Sequence, residues 1–208
     1  MGQYYMPILI DSDGKITTLY SHDYDNGLKL TEHSWIGNDF VNAVVTQLWK
    51  NPQRVAWIGD YSDTQTGDAY EQKLKHAEFM LFYKAAWNKR DKYKVRPDSA
   101  ELVKENGLDA IGNRCYLVNH TTKQFIDMVD YCEGSSYIPK WDGRFRWCIH
   151  PLPILTACGN DRGGGDFRAG SLGYDLVGTW AFDLIEMTNI QPVGYAPFCP
   201  VFKESDAV

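Results

Sequence analysis

The sequence lacks the features that mark an exported or membrane-spanning protein. No apolar run approaches the ~18 residues that a membrane-spanning helix needs. The opening stretch MGQYYMPILIDSDG has neither the basic flank nor the long apolar core of a secretory signal. The five cysteines are odd in number and form no C-x-x-C pair, which is typical of reduced intracellular thiols. These absences predict a soluble, cytoplasmic protein.

Positive charge is also scarce. Lys and Arg number 21 against 27 Asp and Glu, so the formal net charge is −6. Broad nucleic-acid binding is therefore not expected, because it needs many cations against phosphate. Aromatic residues are abundant instead, with 13 Tyr and 7 Trp. Their large apolar faces and polar tips suit sheets and binding surfaces.

The first half of the chain alternates hairpin and helix patterns. Two β-rich runs, residues 3–11 and 15–23, flank a DSDG turn and predict a hairpin. Residues 38–52 repeat apolar positions with helical spacing after the N-cap candidate Asn38, and residues 69–89 repeat them again. The run RVAWIGDY between these helices predicts a buried strand, and a capping box predicts a further short helix over residues 97–107.

Strand patterns dominate the second half. Residues 115–120 and 124–131 predict another hairpin, and residues 145–157 and 178–187 predict further strands. Helices that segregate from hairpins in this way favour an α+β fold with a largely antiparallel sheet and two main helices in the N-terminal half. With no linker or repeat, residues 1–208 are expected to form a single domain.

The glycine-rich stretch GNDRGGGDFRAG, residues 159–170, is the most distinctive motif. It is not a P-loop, because Gly165 and Asp166 stand where lysine and a hydroxyl should be. Consecutive glycines can still direct backbone N–H groups into an anion-binding nest, which flanking arginines would close. A plain turn is the alternative. The predicted ligand contacts are Arg162, Gly163, Gly164, Gly165 and Arg168.

Recognised catalytic and metal motifs do not occur in the sequence. The Asp-Gly turns lack calcium-loop spacing, and Cys115 with His120 or Cys148 with His150 lacks the paired spacing of zinc sites. No metal or cofactor is therefore expected. The remaining hints of catalysis are two carboxylates in apolar settings and one thiol near a base; these residues are Asp60, Asp183, Cys158 and His150.

Several segments together resemble a group of uncharacterised proteins from bacteria, their phages and mobile elements. These segments are MGQYY, HDYDNGLKLTEHSWIGNDFV, WIGDY, YLVNHTTKQFID and HPLPILTACGNDRGGGDF. The resemblance implies a bacterial or phage origin and carries no established activity, so no residue role follows from it. Its genomic context implies an accessory role against host defence, which is an argument by association.

Three functions are consistent with the sequence. The first is a non-catalytic protein that binds a small anionic ligand, such as a nucleotide, at the glycine-rich stretch. The second is an interaction protein that blocks a host partner through aromatic contacts on an acidic surface. The third is a hydrolase or metal-dependent enzyme without a recognisable motif, which the sequence favours least.

Overall fold

The computed structural model describes residues 3–62, 76–87, 114–134, 137–139, 146–159 and 172–202. These residues form ten strands: β1 (Tyr5–Ile10), β2 (Ile16–Thr18), β3 (Gln53–Gly59), β4 (Tyr116–Asn119), β5 (Gln124–Asp127), β6 (Tyr137–Pro139), β7 (Arg146–Cys148), β8 (Ala157–Cys158), β9 (Leu184–Thr188) and β10 (Ala196–Pro197). They also form five α-helices: α1 (Leu30–His33), α2 (Asp39–Gln47), α3 (His76–Trp87), α4 (Met128–Gly134) and α5 (Pro151–Leu155).

Eight of the strands make one mixed, mostly antiparallel sheet. The main path runs β10-β5-β4-β9-β3-β1-β2, and β8 pairs with β3 beside it. The pairs β1–β2, β1–β3, β3–β9, β4–β9 and β4–β5 are antiparallel, whereas β3–β8 and β10–β5 are parallel. Strands β6 and β7 form a separate antiparallel pair. The predicted α+β class with a largely antiparallel sheet is confirmed.

The sheet is buried on both faces around β1 and β3, which explains why these strands read as nearly continuous apolar runs. Successive side chains of a strand point to opposite faces. Leu9 and Trp57 accordingly pack in one cluster with α2 and α5, while Ile8 and Ile58 pack in another with α3. The sheet is therefore the middle layer between helices.

Helix α2 follows its sequence signals closely. The side chain of Asn38 accepts hydrogen bonds from the backbone N–H groups of Phe40 (3.0 Å) and Val41 (3.2 Å), as an N-cap should. The apolar stripe predicted for α3 is only partly right. Leu81 is 64% exposed, whereas Phe79, Phe82 and neighbouring alanines face the sheet. The sequence pattern was ambiguous there because both faces of the helix carry large apolar residues.

Three strand predictions in the second half need correction. Residues 124–131 are predicted as one strand of a hairpin, but β5 ends at Asp127 and α4 begins at Met128. Residues 145–157 were expected to form one strand, but Pro151 begins α5 after the short strand β7. Proline suits the first turn of a helix, where its missing N–H has no partner to lose. Residues 178–182 are turns that precede β9, so the strand begins only at Leu184. The helix predicted over residues 97–107 lies outside the described residues.

No helix within the described ranges has the length and apolar character needed to cross a bilayer.

Candidate functional site

The carboxyl ends of two parallel strands meet at one edge of the sheet. Trp57 pairs with Ala157 and Ile58 with Cys158, so Gly59, the last residue of β3, and Gly159, which follows β8, lie side by side. In open α/β sheets, ligands bind outside the carboxyl ends of parallel strands, where the loops diverge. We call this place, defined by Gln3, Tyr4, Gly59, Asp60 and Gly159, the β3–β8 edge.

The side chain of Gln3 lies between the two glycines. A Cβ added to Gly59 would overlap the Gln3 amide nitrogen. A Cβ added to Gly159 would lie 2.6 Å from Gln3 Oε1 and 2.5 Å from the hydroxyl oxygen of Tyr5. Both positions therefore need glycine for a steric reason, which is the close approach of a buried side chain.

One donor of Gln3 is left without an acceptor. The Tyr5 hydroxyl donates to Gln3 Oε1 over 2.8 Å, but Nε2 has no hydrogen-bond partner within the described part of the chain. Gln3 is only 2% exposed, and an unsatisfied buried donor costs about 1–3 kcal/mol. The β3–β8 edge thus holds a buried amide donor that an acceptor oxygen would satisfy.

Asp60, a candidate acid or base from the sequence, helps to hold this edge together. Its Oδ1 accepts a hydrogen bond from the Tyr4 backbone N–H over 3.0 Å, and its own N–H donates to the Tyr4 carbonyl over 2.9 Å. The hydroxyl of Tyr83, on α3, donates to the Asp60 carbonyl over 2.8 Å. Asp60 therefore fixes the chain before β1 against the end of β3.

A cavity of about 670 Å³ lies next to this edge and shares Tyr4 with it. Its volume is within the range of small-molecule sites. Aromatic side chains and the ion pair of Lys29 with Glu32 line it, and Tyr20 and His22 meet there edge to face at 5.0 Å between ring centroids. Lys29 lies on the same wall, with its Nζ 3.6 Å from the Glu32 carboxylate. The lining residues used below are Tyr4, Tyr20, His22, Lys29 and Glu32.

The predicted anion contacts Arg162, Gly163, Gly164, Gly165 and Arg168 lie outside the described residues. The described chain reaches Gly159, at the β3–β8 edge, and resumes at Leu172.

Asp183, the other carboxylate singled out by the sequence, lies away from Asp60. Its Oδ2 accepts a hydrogen bond of 2.8 Å from the Asn119 side chain, and its carbonyl accepts one of 3.2 Å from the Val55 N–H. Val55 is near the start of β3, whereas Asp60 follows its end. At ~3.3 Å per strand residue, the two aspartates are separated by roughly 16 Å and do not form an acid–base pair.

His150 and Cys158, the one thiol–base combination in the sequence, do not face each other. His150 is the N-cap of α5, and its Nδ1 accepts a hydrogen bond of 3.2 Å from the Leu152 N–H. Burial lowers the pKa of His150 to about 3. Cys158 packs on the opposite side of the sheet, in the cluster that contains α3. The geometry gives this pair structural roles.

His33 is a second buried neutral histidine. The Trp57 indole N–H donates to His33 Nε2 over 3.1 Å, which leaves Nδ1 to donate to the Gly27 carbonyl over 3.0 Å. Burial lowers the pKa of His33 to about 4, against a smaller opposing effect of the Gly27 hydrogen bond. These contacts tie the segment that lines the cavity to the central strand β3.

The structure also reveals a polar cluster that the sequence did not predict. His120 Nε2 lies 2.8 Å from a Glu186 carboxylate oxygen, and Nδ1 lies 2.9 Å from the Tyr195 hydroxyl. The carboxylate only accepts, so Nε2 donates to it. Glu186 on β9 is opposite Val118 on β4, and His120 follows Val118 by two residues. Only this strand register brings the His120 and Glu186 side chains together.

Among the described residues, no group of three or more His, Cys, Asp or Glu side chains is arranged to hold a metal ion.

The comparisons with known proteins identify no relative of this chain. No known protein family, curated protein or solved structure matches the chain, so its own geometry is the basis for assigning a function.

Proposed function

We propose that this chain is a non-catalytic binding protein for a small anionic ligand of the nucleotide class. The observation that carries the proposal is the position of Tyr4, which belongs both to the 670 Å³ cavity and to the β3–β8 edge. The glycine-rich stretch of the sequence begins at that edge with Gly159. The aromatic wall of the cavity thus lies next to Gly159, the first residue of that stretch.

The groups around this place suit the two halves of a nucleotide. Tyr4 and Tyr20 offer aromatic faces, on which a base can stack. Gln3 Nε2 and the Lys29 ammonium are donors for phosphate or carbonyl oxygens. Arg162 and Arg168 add cationic charge in the adjoining stretch of sequence. The chain has a negative net charge, so it needs local donors to bind an anion. Gln3 Nε2 and Lys29 are such donors.

The resemblance to phage and mobile-element proteins extends the proposal to a counter-defence role, in which the bound ligand is a nucleotide signal of the host. Titration calorimetry against mononucleotides, dinucleotides and cyclic dinucleotides tests both parts. Saturable binding of any nucleotide supports the proposed class, and preference for a cyclic dinucleotide supports the counter-defence role. Folded protein that binds no member of the panel would refute the proposal.

Lys29→Gln is expected to weaken nucleotide binding by about ten- to a hundredfold. A charge-assisted contact is worth ~1.5–3 kcal/mol, and each ~1.4 kcal/mol changes affinity tenfold. Calorimetry on the variant measures this loss. Lys123→Gln is the matched control, because it removes the same charge from the exposed turn between β4 and β5. Equal losses in the two variants would indicate only a general effect of charge.

The glycine-rich stretch has its own test. Arg162→Ala should also weaken binding by about ten- to a hundredfold, for the same reason as Lys29→Gln. Gly164→Ala should impair binding because a Cβ obstructs close approach of a phosphate to the backbone. If the stretch is only a turn, Gly164→Ala lowers the melting temperature, and Arg162→Ala binds as the parent does. Calorimetry and thermal unfolding of both variants separate the two outcomes.

A further inference from the structure

Three of the five cysteines lie close together at one side of the main core. Cys115 precedes β4, Cys132 is in α4, and Cys148 ends β7. All three are half-buried and pack against the same hydrophobic cluster. Cys132 interacts with both Cys148 and Cys115, and the Cys148 thiol donates a hydrogen bond of 3.7 Å to the Ile149 carbonyl.

Backbone and side-chain contacts fix the approach of Cys132 to Cys148 independently of the sulfur atoms. The hydroxyl of Tyr131, next to Cys132, donates to the carbonyl of Ile149 over 2.8 Å. Across the β6–β7 pair, Cys148 is opposite Tyr137, which follows α4 closely in the chain. The helix and the strand end are therefore held together where the two thiols meet.

We propose that Cys132 and Cys148 form an oxidation site, in which hydrogen peroxide converts the two thiols to a disulfide. The two cysteines interact beside the Tyr131–Ile149 hydrogen bond, so side-chain rotation can bring their sulfurs to the S–S length of ~2.05 Å. Half-burial leaves them within reach of a small oxidant. The inference does not depend on the proposed ligand.

The two sulfurs have different roles in the reaction. The contact with Cys148 and burial both raise the pKa of Cys132. In either order the first cysteine reacts as its thiolate; with Cys148 first, Cys132 supplies the second thiol. The Cys148 sulfur attacks one peroxide oxygen, the O–O bond breaks, and a sulfenic acid and hydroxide form. The Cys132 sulfur then attacks the sulfenic sulfur; the S–S bond forms, the S–O bond breaks, and water leaves with the thiol proton. Two thiols lose two electrons in total, and one peroxide becomes two waters.

The disulfide would act on more than α4. The carbonyl of Cys148 accepts a hydrogen bond of 2.8 Å from the Ile36 N–H, and the His150 N–H donates to the Ser34 carbonyl over 3.0 Å. Oxidation would therefore link α4 covalently to the end of β7. The end of β7 is in turn hydrogen-bonded to residues 34–36, which lie between α1 and α2.

Non-reducing peptide mapping after treatment with hydrogen peroxide tests the proposal on the unmodified chain. Trypsin places Cys132 in residues 124–140, Cys115 in residues 115–123, and Cys148 with Cys158 in residues 147–162. Chymotrypsin, which cleaves after Leu155, then separates Cys148 from Cys158. The expected result is a Cys132–Cys148 linkage that dithiothreitol reverses, with loss of both thiols from alkylation.

Cysteine variants test which two thiols form the linkage. Cys199→Ser, which removes the exposed thiol, should form the linkage as the parent does. Cys132→Ser and Cys148→Ser should each abolish it. Oxidation confined to Cys199, or a linkage that involves Cys115 or Cys158 instead, overturns the proposal. Because the mapping of the parent chain already decides the matter, a serine variant that fails to fold does not weaken the test.

Discussion

Acidification from pH 7 to pH 5 is expected to lower the free energy of unfolding by about 4 kcal/mol. His33 and His150 are buried, and their folded pKa values of about 4 and about 3 lie below the ordinary value of 6.5. Below pH 6.5 the unfolded chain binds protons that the folded chain does not bind. Stability therefore falls with falling pH until each folded pKa is reached, by about 1.4 kcal/mol per pH unit for each histidine. Urea denaturation at the two pH values measures the difference.

Substitutions that keep the hydrogen bonds but remove the titration provide the control. Asn at position 150 can still cap α5, because asparagine is a favoured N-cap. Gln at position 33 has both a donor and an acceptor for the Gly27 and Trp57 contacts. His150→Asn or His33→Gln should each halve the pH effect, to about 2 kcal/mol. A parent protein equally stable at pH 5 and pH 7 would contradict the neutral, buried state of these rings.

Gly173→Ala is expected to destabilise the fold by about 3 kcal/mol, which corresponds to a fall in melting temperature of about 6–12 °C. Gly173 has φ +81°, which costs an L-residue about 1–2 kcal/mol. A Cβ there would also overlap the carbonyl oxygen of Val201 and lie 2.8 Å from the ring of Phe202. Phe202 is fully buried in the main core, so neither neighbour can move without cost.

Gly194→Ala separates the backbone effect from the steric one. Gly194 has φ +80°, yet a Cβ there would meet no atom within 4 Å. This variant should lose only the conformational part, about 1–2 kcal/mol. Thermal unfolding of both variants makes the comparison, and equal losses would show that the packing of Val201 and Phe202 against Gly173 contributes nothing.

Elements with strong local signals were predictable from the sequence. The β1–β2 hairpin has a DSDG turn between two β-rich runs, and α2 has a side-chain cap at Asn38 before a helical stripe. The errors arose where local patterns are ambiguous. Pro151 and Pro153 lie in an apolar stretch that reads equally as a strand or as a buried helix turn, and only packing selects α5.

The candidate site was less predictable, because it depends on pairings between distant strands. The parallel pairing of β3 with β8 places Gly59 beside Gly159, and nothing local in either segment specifies that neighbour. The buried Nε2 of Gln3, which has no hydrogen-bond partner among the described residues, likewise follows from tertiary packing. The sequence did identify the glycine-rich stretch as distinctive. Only the fold shows that Gly159, the described end of this stretch, lies beside Gly59 of WIGDY.

The position of β9 in the sheet has a consequence for synthesis on the ribosome. β9 pairs with β3 on one side and with β4 on the other, so it joins the block β1–β3 to the hairpin β4–β5. Both blocks leave the ribosome before it, and residues 128–183 must still be added after β5. At ~5–20 residues per second, β4 has an open edge for roughly 3–11 seconds. An open strand edge is a template for pairing with other chains. The nascent chain is therefore most exposed to misassembly, and most in need of a chaperone, in the interval before β9 emerges.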